Sequence, residues 1–301
     1  MSSIKKRRPK GQRTGKGPGI NRFKGLFIHL LAFSFVCIPL AILLLLPVPP
    51  VSHIHRPIFE DFSKAPSSVR IKPKSKKARI RKRLPLVAII IDDMGYDYRL
   101  DKKFMDLEAP LSFAFLPYAP NTKKLARMAL LKKRDVLVHV PMEPENGSLD
   151  PGPGELTVDM DLDTLVETLL KDIRQVPGAV GINNHMGSRF TANKKAMEYT
   201  VAVLKQKGLF LIDSRTTKKT VAYEVAKQMG LRSGERSVFL DHVDESPSIE
   251  HEIKRLVELA QRNGHAIGIG HPYENTYKCL YRMLPLVKKK VRLVPVHKIV
   301  H

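Results

Sequence analysis

Carboxylates and imidazoles recur in this chain at one kind of place, the end of a short apolar run. Ile89-Ile90-Ile91 leads into Asp92-Asp93, Val136-Leu137-Val138 into His139, and Gly181-Ile182-Asn183-Asn184 into His185. Leu209-Phe210-Leu211-Ile212 ends in Asp213, Val238-Phe239-Leu240 in Asp241-His242, and Ile267-Gly268-Ile269-Gly270 in His271. Two adjacent carboxylates repel, so both stay charged only beside a cation. Asp and His converging on one point are the donors of a divalent metal with open coordination positions. Such an ion activates water for hydrolysis. Each residue also has a plainer reading: Asp92 and Asp93 as turn or helix-capping residues, any single His as a hydrogen-bonded structural residue. Their shared position is what favours chemistry.

The elements that must position these residues follow from the apolar pattern. Leu86–Ile91 is apolar without alternation, the mark of a strand buried on both faces in a helix-covered parallel sheet. Further strands are expected at Leu111–Leu116, Asp135–Val140, Ala179–Asn183, Leu209–Ile212, Ser237–Leu240, Ala266–Ile269 and Val291–Val296. Between them, helices are expected at Asn121–Lys133, Asp161–Gln175, Asn193–Lys207 and Pro247–Arg262. The spacing of Leu162, Leu165, Leu169 and Ile173 predicts a core face, and Gly208 and Gly264 stand where helices end. Eight strands with interleaved helices predict an α/β fold, a closed or nearly closed β/α barrel rather than an open sheet. In such a fold the C-terminal strand ends share the functional face. His265 precedes its strand and belongs to the opposite, structural end.

The chain has 301 residues and a net charge of +23, but the charge is unevenly placed. Residues 1–24 carry nine Lys or Arg and no acid, and residues 52–84 carry eleven against Glu60 and Asp61. The remainder, 85–301, is only mildly basic, which gives the folded part no claim on nucleic acid. Residues 25–51 contain no charged side chain, with only His29 and Ser34 interrupting the apolar run. That is longer than the roughly twenty residues a membrane-spanning helix needs. The expected plan is a basic cytoplasmic tail (1–24), a transmembrane signal anchor (25–51), a basic Pro-containing linker (52–84) and a barrel domain (85–301). The positive-inside rule puts the N-terminus in the cytoplasm and the barrel on the periplasmic or extracytoplasmic side of the cytoplasmic membrane. A cleaved signal peptide is the rival, but no small-residue cleavage pattern precedes Pro47-Val48-Pro49-Pro50. Cys37 and Cys279 provide neither a disulfide framework nor a Cys zinc site.

Over 85–300 the chain resembles the divergent polysaccharide deacetylases, relatives of the NodB-homology deacetylases. Ile90-Ile91-Asp92-Asp93-Met94-Gly95 resembles their first motif and Ile269-Gly270-His271-Pro272 their last. His139 in Val138-His139-Val140-Pro141-Met142-Glu143-Pro144 occupies the strand of the wider family's His-x3-His pair; here the fourth following residue is Glu143. His185, in Asn183-Asn184-His185-Met186-Gly187-Ser188, would then supply the second imidazole.

The resemblance implies an incomplete or distorted (β/α) barrel of about seven to eight strands and a metal-dependent hydrolase of acetylated polysaccharide or cell-wall glycan, with Asp92 as general base and His271 as catalytic acid. Asp213 matches a position that supports the base. Asp93, His139 and His185 would hold a divalent metal, expected to be Zn²⁺. Arg189 and Arg215 have two readings, as holders of an acidic sugar or of Asp213 and as solvated surface. Asp241 and His242 lie on the expected face but match no motif. The missing His-x3-His pair motivates an alternative from another class, a catalytically inactive barrel serving as an envelope-binding or scaffolding module. Nucleic-acid binding through the basic regions is disfavoured, because the anchor would separate them across the membrane.

Overall fold

The computed structural model describes residues 84–301. The expected basic tail, the transmembrane anchor and all of the linker but Leu84 lie outside the described residues. Among the described residues no helix is long and apolar enough to cross a membrane.

Strands and helices alternate: β1 (Leu86–Met94), α1 (Tyr98–Met105), β2 (Ser112–Phe115), α2 (Thr122–Leu131), β3 (Val136–Met142), α3 (Leu162–Gln175), β4 (Gly181–Met186) and α4 (Lys194–Lys207). Then come β5 (Phe210–Asp213), α5 (Ala222–Gln228), β6 (Ser233–Glu235), β7 (Val238–Phe239), α6 (Ser246–Asn263), β8 (His265–Gly270), α7 (Glu274–Val287) and β9 (Arg292–Leu293). Every strand pair is parallel. The order β6-β5-β4-β3-β2-β1-β8-β7 leaves β6 and β7 as unpaired ends, so the sheet curls into an incomplete barrel. β9 joins β1 at Leu86 and Val87, before β2 begins to pair at Ile90.

Because strand side chains alternate between faces, the core divides in two. One layer packs Val87, Ile89, Ile91 and Val138 of the sheet against helix residues such as Leu165, Leu169 and Leu256. The second fills the barrel with Ala88, Ile90, Leu137, Ile212, Ile267 and Ile269, plugged by Val294, Val296, Ile299 and Val300. At the plug, His301 and Ser233 exchange backbone hydrogen bonds of 3.0 and 3.3 Å. The inward parity, continued up the strands, turns from apolar to polar: Asp92 follows Ile90, His139 follows Leu137, Asn183 follows Gly181, and His271 follows Ile269.

The four expected helices form within a residue or two of their limits. Asp161 and Asn193 cap α3 and α4 by accepting from Thr164 N at 2.8 Å and Ala196 N at 3.0 Å. Gly208 and Gly264 take the left-handed conformation that ends α4 and α6. Leu162 departs from expectation: as the first helical residue it lies beyond the packed face and is 46% exposed. The expected strand Val291–Val296 contracts to Arg292–Leu293, since the chain then turns under the barrel. Nothing apolar announces β6; Ser233-Gly234-Glu235 is a strand through its backbone pairing with β5.

Candidate active site and metal centre

Strict alternation would send Asp93 away from Asp92. Instead, the β1–β2 register shifts between Ile91 and Met94, and Asp93 takes φ 53°. A bulge of this kind re-aims a side chain, and Asp tolerates the left-handed region better than most residues. Both carboxylates therefore serve the mouth of the barrel. Gly95, next along, is buried against the β2–α2 loop, where a Cβ would stand 2.6 Å from Thr122 Oγ1.

Asp93, His139 and His185 converge. Asp93 Oδ1 lies 3.1 Å from His139 Nε2 and 2.9 Å from His185 Nδ1, and the two ring nitrogens are 3.1 Å apart. Despite these distances, Oδ1 is buried without a well-aligned hydrogen bond. One carboxylate oxygen and two imidazole nitrogens gathered this closely could hold a metal ion among them. The donor set fits a divalent ion such as Zn²⁺. Burial opposes charge on Asp93, but the two imidazoles hold its carboxyl far below the usual range. Burial likewise opposes charge on His139, and Asp92 and Asp93 outweigh it, so its pKa lies above normal. Negative charge that favours a proton there equally favours a metal. His185 reaches this centre because β3 and β4 are neighbours, with Pro141 paired to His185 and His139 to Asn183.

Asn183, fully buried, joins His139 to Asp92. Its Oδ1 lies 2.9 Å from His139 Nδ1, and its Nδ2 donates to Asp92 Oδ1 at 2.7 Å. With Nδ1–H held by the amide oxygen, Nε2 of His139 is left as the ligand atom. Burial raises the Asp92 pKa against the opposing pull of His139 and His271. A carboxylate with a raised pKa suits general-base work.

Across from this group, His271 Nδ1 is 2.8 Å from Asp241 Oδ1, while the His271 backbone N–H donates to Asp241 Oδ2 at 2.6 Å. Thr276 Oγ1 donates to the same carboxylate at 2.7 Å. Burial works against charge on this imidazole, yet Asp241, with Asp92 and Asp93 behind it, pushes its pKa up to about 9. Phe239 and Tyr273 stack on the ring, with centroids 5.9 and 5.6 Å away. Its Nε2 is the nitrogen left for a substrate.

The other residues singled out in the sequence have structural partners. Asp213 accepts from Arg215 N at 2.7 Å, Thr220 Oγ1 at 2.9 Å and Tyr223 N at 3.4 Å, bracing the loop after β5. Direct contact with Asp92 belongs to Asn183. Glu143 accepts from Val158 N at 2.8 Å and pairs with Arg189, so it ties loops together. Arg215 directs its guanidinium to Glu235 at 2.6 Å. Arg236, which carried no sequence signal, donates from Nε to Ser214 O at 2.6 Å and lies 3.7 Å over the Phe239 ring. Asp241 and Asn183 did carry one: Asp241 follows an apolar run, and Asn183 stands two residues before His185 on the same strand.

The model of the divergent polysaccharide deacetylase family matches residues 89–300. The chain belongs to this family. Among relatives, an uncharacterised protein of Haemophilus influenzae is 36% identical over 214 residues, covering 69% of this chain and 74% of that protein. The uncharacterised protein YibQ of Escherichia coli is 34% identical over 211 residues, and the match spans 69% of this chain and 65% of YibQ. The crystal structure of an uncharacterised protein from Agrobacterium tumefaciens shares the fold, with a TM-score of 0.69 and 22% identity over 72% of this chain and 90% of that one. In this chain the incomplete barrel carries the Asp, His and Asn arrangement described above toward the C-terminal side of its strands.

Proposed function

We propose that this divergent deacetylase is a membrane-anchored, divalent-metal-dependent hydrolase that removes acetyl groups from envelope carbohydrate. The observation that carries the reading is the convergence of Asp93, His139 and His185 beside a buried carboxylate and a carboxylate-held imidazole. When bound, the ion polarises the acetyl carbonyl and lowers the pKa of an attacking water. Asp92, steadied by Asn183, takes the proton that water loses as it attacks the acetyl carbon. His271, protonated and oriented by Asp241, gives a proton from Nε2 to the departing amine or alcohol as its bond to the acetyl carbon breaks. The products are acetate and the deacetylated sugar.

The membrane reading rests on residues 25–51 and the basic segments flanking them. A periplasm-active phosphatase fused after His301 should be active, whereas fluorescence from a reporter that matures only in the cytoplasm would overturn the topology. For the chemistry, the full chain should bind one divalent metal and release acetate from an acetylated glycan, and Asp93→Ala should lose both. Absence of stoichiometric metal would sink the proposal. Metal without acetate release from any acetylated glycan would favour the inactive binding module instead.

A further inference from the structure

Strands run toward the catalytic mouth and helices run back from it, so helix ends and strand starts share the opposite face of the barrel. That face gathers apolar side chains in water. Leu131, the last residue of α2, is 85% exposed, and Leu286, near the end of α7, is 55% exposed. Leu130 is exposed beside Leu131, and Leu84 and Val180, just ahead of β1 and β4, are exposed as well.

The sector they occupy is continuous. A Cβ on Gly178 would stand 2.4 Å from Leu130 Cδ1, so the end of α2 abuts the loop before β4. Lys132 Nζ reaches Asp106 Oδ1 at 3.0 Å, and Lys288 Nζ donates to Glu108 O, which joins the ends of α2 and α7 through the loop after α1. Arg292 N donates to Pro85 O at 2.8 Å and sets Leu84 beside them.

The charge of this sector is one-sided. Lys132, Lys133, Lys288, Lys289, Lys290 and Arg292 are all exposed, against the acids Asp106 and Glu108. Asp135 is buried and held by His297. The mouth end instead mixes both signs, pairing Asp159 with Arg189 and Glu145 with Lys219. Lysines that follow helices complement the helix dipole and would mark nothing by themselves. A dipole does not call for leucines in water, nor for a basic residue on the strand β9, and grouped exposed apolar residues mark an interaction surface. In the sequence, Arg79-Ile80-Arg81-Lys82-Arg83 leads directly into Leu84, so the chain joins the domain at this face with more of the same charge.

We propose that this face docks on an anionic phospholipid bilayer, its leucines entering the headgroup layer and its lysines meeting lipid phosphates, so that the catalytic mouth opens away from the membrane. The docking rests on the membrane anchor of the proposed function and not on the hydrolytic chemistry. Binding at a bilayer surface draws on buried apolar area together with attraction of basic side chains to anionic lipids. This sector supplies both.

The chain contains no Trp, so a single introduced Trp reports its own surroundings. Leu131→Trp at this face and Leu162→Trp at the mouth end, both exposed positions, are compared in the full chain. Each is reconstituted into vesicles of phosphatidylglycerol with phosphatidylethanolamine and, separately, of phosphatidylcholine. In the anionic vesicles Leu131→Trp should shift its emission to the blue and be quenched by bromine-labelled acyl chains, while Leu162→Trp keeps its solvent emission. Both effects should shrink in about 1 M salt, where the Debye length is about 3 Å. They should shrink likewise when Lys132→Gln, Lys133→Gln, Lys289→Gln and Lys290→Gln are combined. Unmoved emission from Leu131→Trp in a chain that has entered anionic vesicles would overturn the docking and leave the anchor standing. An equal response in phosphatidylcholine would overturn the anionic partner, and a blue shift given by dextran sulfate but not by anionic vesicles would assign the face to a soluble polyanion instead. Flotation with anionic vesicles alone would overturn the anchor and keep the docking face; flotation with neither would overturn both.

Discussion

Asn183 and Asp92 are joined at 2.7 Å inside the barrel, and the same amide faces His139 Nδ1 at 2.9 Å. The amide cannot turn around, because a flip would set its NH₂ against the ring N–H and its oxygen against a carboxylate. One side chain therefore orients both Asp92, the proposed base, and His139, a proposed metal ligand. Asn183→Ala should lower metal affinity by about 10–100-fold, the usual effect of losing a group that orients a ligand. It should also lower kcat at saturating metal while KM changes little. Metal titration by calorimetry with steady-state kinetics checks this, and unchanged metal affinity would break the proposed link.

The position of Glu143 leads to a second expectation. It falls four residues after His139, where the wider family's second imidazole would stand, yet its carboxylate bonds Val158 N and Arg189. His185→Ala should abolish stoichiometric metal binding. Glu143→Ala should keep the metal and cost about 1–3 kcal/mol of stability, since it leaves a loop donor unpaired. Metal analysis of both variants decides the matter, and the reverse pattern would return the ligand to β3.

Much of this architecture was legible in the sequence because parallel strands buried on both faces write themselves as apolar runs, and because those runs end in chemistry-bearing residues. Residues 86–91 and 266–269 show it plainly. What could not be read depends on non-local geometry. The φ of 53° that returns Asp93 to the site is a backbone choice visible only in the β1–β2 register. Asp241 reaches His271 through the pairing of β7 with β8. The strand β6 has no apolar residue to betray it, and the bonds of Asp213 to Arg215, Thr220 and Tyr223 depend on how the loop after β5 folds back.

His271 gives the pH dependence. Asp241 and the more distant carboxylates overcome burial and push its pKa up to about 9 from an ordinary 6.5. As general acid it must be protonated, so activity should fall as pH rises through about 9. Asp241→Asn should move that alkaline limb down by roughly one to two units, as expected when a paired charge is removed. The same shift affects stability. Because the folded pKa is raised above the unfolded one, the stabilisation is fully present below pH 6.5 and lost as pH climbs through about 9. Thermal melts across that window should slope downward in the wild type and flatten in Asp241→Asn, and a parallel slope in both would exclude the pair as its source.

The C-terminal plug lies at the other end of the barrel from the chemistry, which allows stability to be separated from activity. Val296, Ile299 and Val300 pack under Ile90, Leu137 and Ile267. Val296 N donates to Ser112 Oγ at 3.0 Å, and His297 Nδ1 meets Asp135 at 2.8 Å. Ile299 is 2% exposed, so Ile299→Ala removes atoms from a filled core. Such a change costs about 2–5 kcal/mol. Urea denaturation should show a lower midpoint with an unchanged slope, the sign of a less stable but equally compact fold. Below the transition, metal content should match the wild type, because no ligand strand end is touched. Loss of metal from a variant that remains folded would mean that the two ends of the barrel are coupled.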